Sequence, residues 1–302
     1  MTQSSLPPQV LNWLAGVLGP DAHLRAIRRL DGATSSTLFI LQAAAGGSLV
    51  LRLFTNQAWL AEEPDAPRHE AANLLKLRHS GLPVPELVAL DADGLRCGVP
   101  ALVMTCLPGR VDLTPADMED WLTQLAVLLP RLHAVSTGSH PWRHAPYFDL
   151  PNLSAPASTR FPQHWELAIR IVQGPFPFFQ PAFIHRDYHP VNVLFEDGRL
   201  SGLVDWPNAC IGPAGVDVAH CRLNLASMYG VPTADRFLAL CQDAMKSYWE
   251  YDPFWDLLSI LDGDPGPVAV YPPWLDFGLK DLTPALIEER REAYLASVLA
   301  RF

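Results

Sequence analysis

Phe183-Ile184-His185-Arg186-Asp187-Tyr188-His189-Pro190-Val191-Asn192-Val193-Leu194-Phe195 is the chemically densest stretch of the chain. Two apolar runs flank a polar loop that holds two histidines, an aspartate and an asparagine. A second strand-like run follows, Leu200-Ser201-Gly202-Leu203-Val204, and ends at Asp205-Trp206. An extended apolar run that ends in Asp aims a carboxylate out of its C-terminal end, so adjacent loops offer two carboxylates and one carboxamide. Such oxygen donors suit a hard cation such as Mg²⁺, which takes one or two protein groups and fills its shell with phosphates. A cation so held neutralises charge on a transferring phosphoryl group. The carboxylate left over, Asp187, is placed to accept the proton of an attacking hydroxyl.

The interval from Asp187 to Asn192 matches the kinase catalytic loop His-Arg-Asp-x-x-x-x-Asn. With Asp205-Trp206 behind it, His185–Asn192 resembles the aminoglycoside phosphotransferase/choline kinase family, small-molecule kinases with a protein-kinase-like fold. The resemblance runs in order along most of the chain. Leu30-Asp31-Gly32-Ala33-Thr34-Ser35-Ser36-Thr37 stands where the family has its nucleotide-covering loop. Leu49–Leu53 looks like the third strand, with Arg52 at the phosphate-contacting lysine position, and Arg68–Leu75 like the helix whose Glu, here Glu70, pairs with that cation. Leu102–Gly109 looks like the hinge, and Gly212–Ala219 like the segment whose Asp, here Asp217, braces the catalytic loop. Two departures stand out: arginine replaces lysine, exchanging a point charge for a fork, and the covering loop holds a single glycine.

The resemblance implies an α+β, bilobal, protein-kinase-like fold: an N-terminal lobe of antiparallel sheet plus helix, and a larger, mainly helical C-terminal lobe. Leu107-Pro108-Gly109 breaks the chain, so the nucleotide-binding lobe is expected over 1–108 and the catalytic and acceptor-binding lobe over 109–302. The implied reaction moves the γ-phosphoryl group of ATP, with GTP as the alternative donor, to a small-molecule hydroxyl with Mg²⁺. The implied roles are Asp187 as catalytic base, Asn192 and Asp205 as Mg²⁺ ligands, and Arg52, braced by Glu70, at the α/β phosphates. Ser35 belongs to the covering loop, and the backbone near Thr105 and Leu107 would meet adenine.

Other readings of the same residues stand beside this one. His185 reads as a buried histidine that supports the loop. His185, Asp187 and His189, with Asp205 as a further ligand, also read as a metal-hydrolase site, although Arg186 sets a cation beside it. The thin covering loop and Arg52 fit a kinase-like binding protein without catalysis. The aromatic group Tyr248, Trp249, Tyr251, Phe254, Trp255 and Trp274 reads as core or as a pocket wall, with Asp252, Asp256, Asp262, Asp264 and Asp276 as solvated loop acids or a cation-binding rim.

Periodicity places helices over Val10–Leu18, Arg68–Leu77, 161–173, 214–229, 233–249 and 282–300, and strands over His23–Leu30, Thr37–Leu41, Ser48–Phe54, Val84–Leu90 and Ala101–Met104. Thr114-Pro115-Ala116-Asp117 reads as a helix start with Thr114 as N-cap and proline at N1. Residues 136–160, rich in Pro, Ser and His, read as a loop.

Composition narrows the classes. The 302 residues are 49% hydrophobic and 18% charged, enough to bury a sizeable core and too apolar for a disordered chain. The net charge of −10 argues against nucleic acid as a partner. Residues 1–110 carry 9 basic and 9 acidic side chains while 111–302 carry 13 and 23, which tilts the expected acceptor towards a cationic molecule such as an aminoglycoside or amino alcohol. Five scattered cysteines show no CxxC spacing and imply neither a disulfide framework nor a zinc ribbon. No apolar run approaches 18 residues and no secretory leader is visible, so a cytoplasmic protein without a membrane partner is expected. Oligomeric state has no sequence signal.

Overall fold

The computed structural model describes residues 6–19, 24–30, 36–43, 47–262 and 267–302. The chain divides into two compact units, one of residues 1–109 and 201–208, the other of 110–200 and 209–302. Residues 201–208, Asp205 among them, belong to the first unit although the loop that precedes them in sequence belongs to the second.

The first unit is built on a five-stranded sheet in the order β1-β2-β3-β5-β4, antiparallel throughout. Its strands are β1 (Leu24–Leu30), β2 (Thr37–Ala43), β3 (Ser48–Leu53), β4 (Leu87–Asp91) and β5 (Ala101–Thr105), with α1 (Pro8–Leu18), α2 (Gln57–Glu62) and α3 (Ala66–Leu77) around it. Side chains alternate across a strand. On β3, Leu51 and Leu53 join Val10, Trp13 and Leu14 of α1 with Phe39, Leu41 and Val103 in one apolar cluster. The intervening residue Arg52 is therefore turned to the other face, where it is only 4% exposed. β4 starts three residues later than the apolar run implies, because Pro85 has no N–H for a ladder and Val84 turns back to the Leu82 carbonyl.

The second unit contains α4 (Met118–His133), α5 (Pro162–Val172), β6 (Pro181–Ile184), β7 (Val193–Glu196), β8 (Arg199–Leu203), along which the chain passes back to the first unit, and β9 (Cys210–Pro213). It continues with α6 (Ala214–Tyr229), α7 (Val231–Met245), α8 (Phe254–Leu261), α9 (Pro272–Asp276) and α10 (Pro284–Leu299). β9 pairs antiparallel with β6 and carries Gly212 and Pro213. α4 begins later than Thr114-Pro115 implies: its N-cap is Asp117, whose carboxylate accepts from the Asp120 N–H at 3.0 Å. The helix lays Trp121, Leu125, Leu128, Leu129 and Leu132 into the core, the regular stripe of an amphipathic helix. α6 has no such stripe, since it is buried on nearly every side.

That burial leaves no room at the start of α6. A Cβ added at Gly215 would enter the indole ring of Trp255 on α8, meeting Cγ at 2.7 Å. Gly215→Ala is expected to lower stability by about 1–3 kcal/mol, the usual range for an overpacked core. A urea midpoint equal to wild type would show that α8 slides away freely.

The aromatic group resolves mainly as core. Phe254, Trp255 and Trp274 are buried, while Tyr248 is 42% exposed. Three of the acids read as solvated loop groups or as a cation-binding rim have partners within the fold. Asp256 is buried against Arg222, Asp252 accepts from the Phe254 N–H and Asp262 accepts from the Tyr147 N–H, so each is committed within the protein. Asp264 lies outside the described residues.

Candidate functional site

In the first unit, β3, α3 and the segment after β8 converge on one guanidinium. Arg52 Nη1 donates to Glu70 Oε1 at 2.9 Å and to Asp205 Oδ1 at 2.7 Å, and its Nε donates to Ser36 Oγ at 2.7 Å. Burial disfavours the charged arginine, but the Glu70 and Asp205 carboxylates outweigh it and hold the guanidinium well above its ordinary range. Glu70 has no exposed surface, and burial pushes its carboxyl up against the pull of Arg52. Asp205 differs: its side chain is 37% exposed. Its backbone is left-handed at φ 69°, a conformation that L residues adopt under constraint. The constraint is visible next door. Trp206 is fully buried, its carbonyl accepts from Asn73 Nδ2 at 2.7 Å, and its indole N–H donates to the Leu203 carbonyl.

The hinge is mostly committed to the sheet. The Thr105 amide donates to the Glu86 carbonyl and the Cys106 amide to that of Ser48. Among the described residues the Leu107 amide has no backbone partner. Ser35 lies outside the described residues. Its neighbour Ser36 is taken up as an acceptor for Arg52.

In the second unit, the loop between β6 and β7 is pinned from α6. Asp217 accepts from the His185 N–H at 3.1 Å, from the Arg186 N–H at 2.7 Å and contacts His133 Nε2 at 3.0 Å. Arg186, at φ 68°, is a second left-handed residue, and it turns the chain so that Asp187 follows. The Arg186 guanidinium stacks 3.6 Å above the Tyr147 ring and donates to the Ala145 carbonyl. Tyr188 is sealed in the core with its hydroxyl on the Leu125 carbonyl.

Asp187 is gripped on both oxygens. Oδ1 lies 3.0 Å from His220 Nε2 and 3.6 Å from His189 Nε2, and Oδ2 accepts from Asn192 Nδ2 at 3.1 Å. The same Nδ2 donates to the Asp187 carbonyl at 2.9 Å, so the carboxamide oxygen of Asn192 is the end left to a ligand. Burial pushes the Asp187 carboxyl up, but His189, the hydrogen bond from His220 and the charge of His185 overcome it and hold the group far below the usual carboxylate range. The carboxylate is thus ionised at neutral pH and can act as a hydrogen-bond acceptor.

The structure brings Arg52, Glu70 and Asp205 together in one unit and Asp187 and Asn192 together in the other. His220 was invisible in sequence, because it lies a helix away on α6 with no motif to mark it. Asp187, His189 and His220 also place their donor atoms within 4.8 Å of one another. The hydrolase set named from sequence is not this one: His185 is fully buried, against the Tyr188 ring, and His220 takes its place.

Comparison with known proteins agrees with the geometry. A sequence profile described as "Phosphotransferase enzyme family" matches residues 26–253. A homoserine kinase from Methylocella silvestris is 26% identical over 213 residues, covering 66% of this chain and 64% of that protein. A homoserine kinase from Pseudomonas aeruginosa is 32% identical over 157 residues, covering 47% and 48%. The aligned stretch thus spans less than two thirds of the length of either relative. Among solved structures, aminoglycoside phosphotransferase APH(4)-Ia in a ternary complex with ADP and hygromycin B superposes with a TM-score of 0.60 at 16% identity, covering 96% of this chain and 98% of that one. A macrolide 2'-phosphotransferase from Brachybacterium faecium gives 0.56 at 18% identity, covering 95% and 98%. These likenesses establish the fold. No helix among the described residues is long and apolar enough to cross a membrane. With its profile match across most of the sequence, the chain belongs to the phosphotransferase enzyme family.

Proposed function

We propose that the protein transfers the γ-phosphoryl group of ATP to a hydroxyl of a small molecule, with Mg²⁺ as the cation. The observation that carries the reading is Asp187, an ionised carboxylate gripped by Asn192 and His220 on a loop that Asp217 pins from below. In the transfer, the acceptor oxygen forms a bond to the γ-phosphorus, the bond from that phosphorus to the β-γ bridging oxygen breaks, and ADP leaves. The hydroxyl proton passes to Asp187 and then to solvent. A carboxylate of such low basicity orients the hydroxyl from the start and takes its proton late, which suits a loose phosphoryl-transfer transition state.

The donor set fits a hard cation. The carboxamide oxygen of Asn192 and the part-exposed carboxylate of Asp205 are each an oxygen donor of the kind such a cation takes. Bound there, Mg²⁺ supplies charge neutralisation on the phosphates. Arg52, permanently charged and braced by Glu70, would pair with the α/β phosphates, and the Leu107 amide would meet adenine.

Thermal melting with Mg²⁺ and ATP tests this without knowledge of the acceptor. ATP at a hundred times its Kd adds about 2.7 kcal/mol of stability. The shift is expected to need Mg²⁺ and to lose that dependence in Asp205→Ala. An absent shift with both ATP and GTP would sink the nucleotide-dependent reading. A Mg²⁺-dependence that survives the substitution would remove Asp205 from the cation site.

A further inference from the structure

Three side chains of the second unit meet in a donor set that phosphoryl transfer does not require. Asp187 Oδ1 lies 3.0 Å from His220 Nε2 and 3.6 Å from His189 Nε2, and one donor atom from each residue falls within 4.8 Å of the other two. The other carboxylate oxygen, Oδ2, is held by Asn192 Nδ2. Asp187 thus turns one oxygen to a carboxamide and the other to two imidazoles.

The distances fit a four-coordinate ion. Bonds of about 2.0–2.2 Å from Zn²⁺ to imidazole nitrogen and carboxylate oxygen put neighbouring donors about 3.3–3.5 Å apart in a tetrahedron. The two nitrogen–oxygen separations straddle that value. The third edge, between the imidazole nitrogens, is at most 4.8 Å and closes with a turn of the His220 ring. Two of the ligands are reached from water, since the side chains of Asp187 and His220 are 30% and 31% exposed. The third is pre-set: His189 is buried, and its ring packs edge-on against those of His220 and Tyr271.

Protonation favours a dication too. A ligand gives up its proton before it binds metal. Asp187 has already done so at neutral pH. Three protein donors with a fourth position left to water make an open zinc site. Mg²⁺ is not the ion for it, because imidazole suits the later transition metals while Mg²⁺ prefers oxygen.

We propose that Asp187, His189 and His220 form a second cation site, selective for an ion of the Zn²⁺ type, and that its occupation shuts off phosphoryl transfer by taking the carboxylate that would accept the hydroxyl proton. The site stands on its own geometry, and the inhibition rests on the phosphotransferase reading above.

Titration of the metal-free protein with Co²⁺ reads the site directly. Low-coordinate nitrogen and oxygen donors give Co²⁺ a visible absorption band, and Zn²⁺ added afterwards displaces it. One equivalent is expected to bind, and excess Mg²⁺ to leave the band in place. His220→Asn keeps an N–H for Asp187 but removes a ligand. It is expected to weaken Zn²⁺ binding about a hundredfold or more, since losing an outer-shell partner alone costs about 10–100-fold. His189→Gln is expected to do the same; if it fails to fold, His220→Asn decides. The functional arm is ADP release from Mg²⁺-ATP with water as acceptor, at free Zn²⁺ set by a metal buffer. Release by wild type is expected to fall as the site fills. In His220→Asn the Zn²⁺ concentration for half-inhibition is expected to rise by the same factor as the dissociation constant, whatever the variant's own rate. No saturable band in wild type, or a Zn²⁺ affinity untouched by the substitutions, would overturn the site. Binding as expected with turnover unchanged would overturn the inhibition. Absent ADP release from wild type would remove the inhibition along with the activity, while the Co²⁺ titration would still confirm or overturn the site.

Discussion

Asp187→Asn is expected to lower phosphoryl transfer by about two to four orders of magnitude, the span that a positioned acid or base contributes. The substitution preserves shape. A carboxamide still offers an oxygen to Asn192 Nδ2 or to His220 Nε2, so the loop pinned by Asp217 keeps its course. What it loses is the charge that accepts the acceptor's proton and the second acceptor oxygen. ATP binding, whose proposed contacts do not include the Asp187 carboxylate, is expected to persist, so the Mg²⁺-ATP melting shift should match wild type while turnover collapses. The two readouts separate a chemical role from a structural one. Turnover within a few-fold of wild type would end the role given to Asp187, and loss of both readouts would mean that the loop had moved.

The largest stability effect is expected far from the chemistry. Arg222 on α6 has no exposed surface. It pairs with Asp256 of α8 and with Asp235 of α7 at 2.8 Å, and donates to the Tyr251 hydroxyl at 3.1 Å. Tyr294 of α10 also donates to Asp256, at 2.7 Å, and Tyr251 does so at 2.5 Å. One buried carboxylate thus satisfies a guanidinium and two hydroxyls while joining α8 and α10 to α6. Asp256→Ala takes the one buried carboxylate from that guanidinium and from both hydroxyls, and the expected loss is about 3–5 kcal/mol. Asp243→Ala is the control. Its partner Lys246 and Asp243 itself are 75% and 80% exposed, and such a pair is worth about 0–1 kcal/mol. Urea unfolding of the two variants against wild type reads the contrast. A loss below about 1 kcal/mol in Asp256→Ala would mean that α8 yields and lets water reach Arg222.

The chemistry-bearing positions were legible in sequence because they are local. Asp187 and Asn192 lie five positions apart on one tight loop, so their spacing largely fixes their geometry, and Asn192 bonds Asp187 at both its carbonyl and its carboxylate. The first unit was legible for a similar reason: strict alternation on β3 buries Leu51 and Leu53 on one face and commits Arg52 to the other. An arginine there needs a carboxylate, and the resemblance to the kinase-like family, rather than proximity in sequence, singled out Glu70 over Glu62, Glu63 and Asp65.

Three things were decided only in three dimensions. The pairing of Arg52 with Asp205, 153 positions apart, depends on residues 201–208 returning to the first unit. His220 became the partner of Asp187 because α6 packs beside the loop, and one histidine in a buried helix has no periodic signature. The fate of the acidic side chains was also hidden. A sum over 111–302 favours a cationic acceptor, but that sum counts Asp256 and Asp262, which the fold commits to Arg222 and to the Tyr147 amide. Local spacing sets which groups can act, because a short loop has few shapes; tertiary packing sets which charges stay unpaired, because only it brings distant partners into contact.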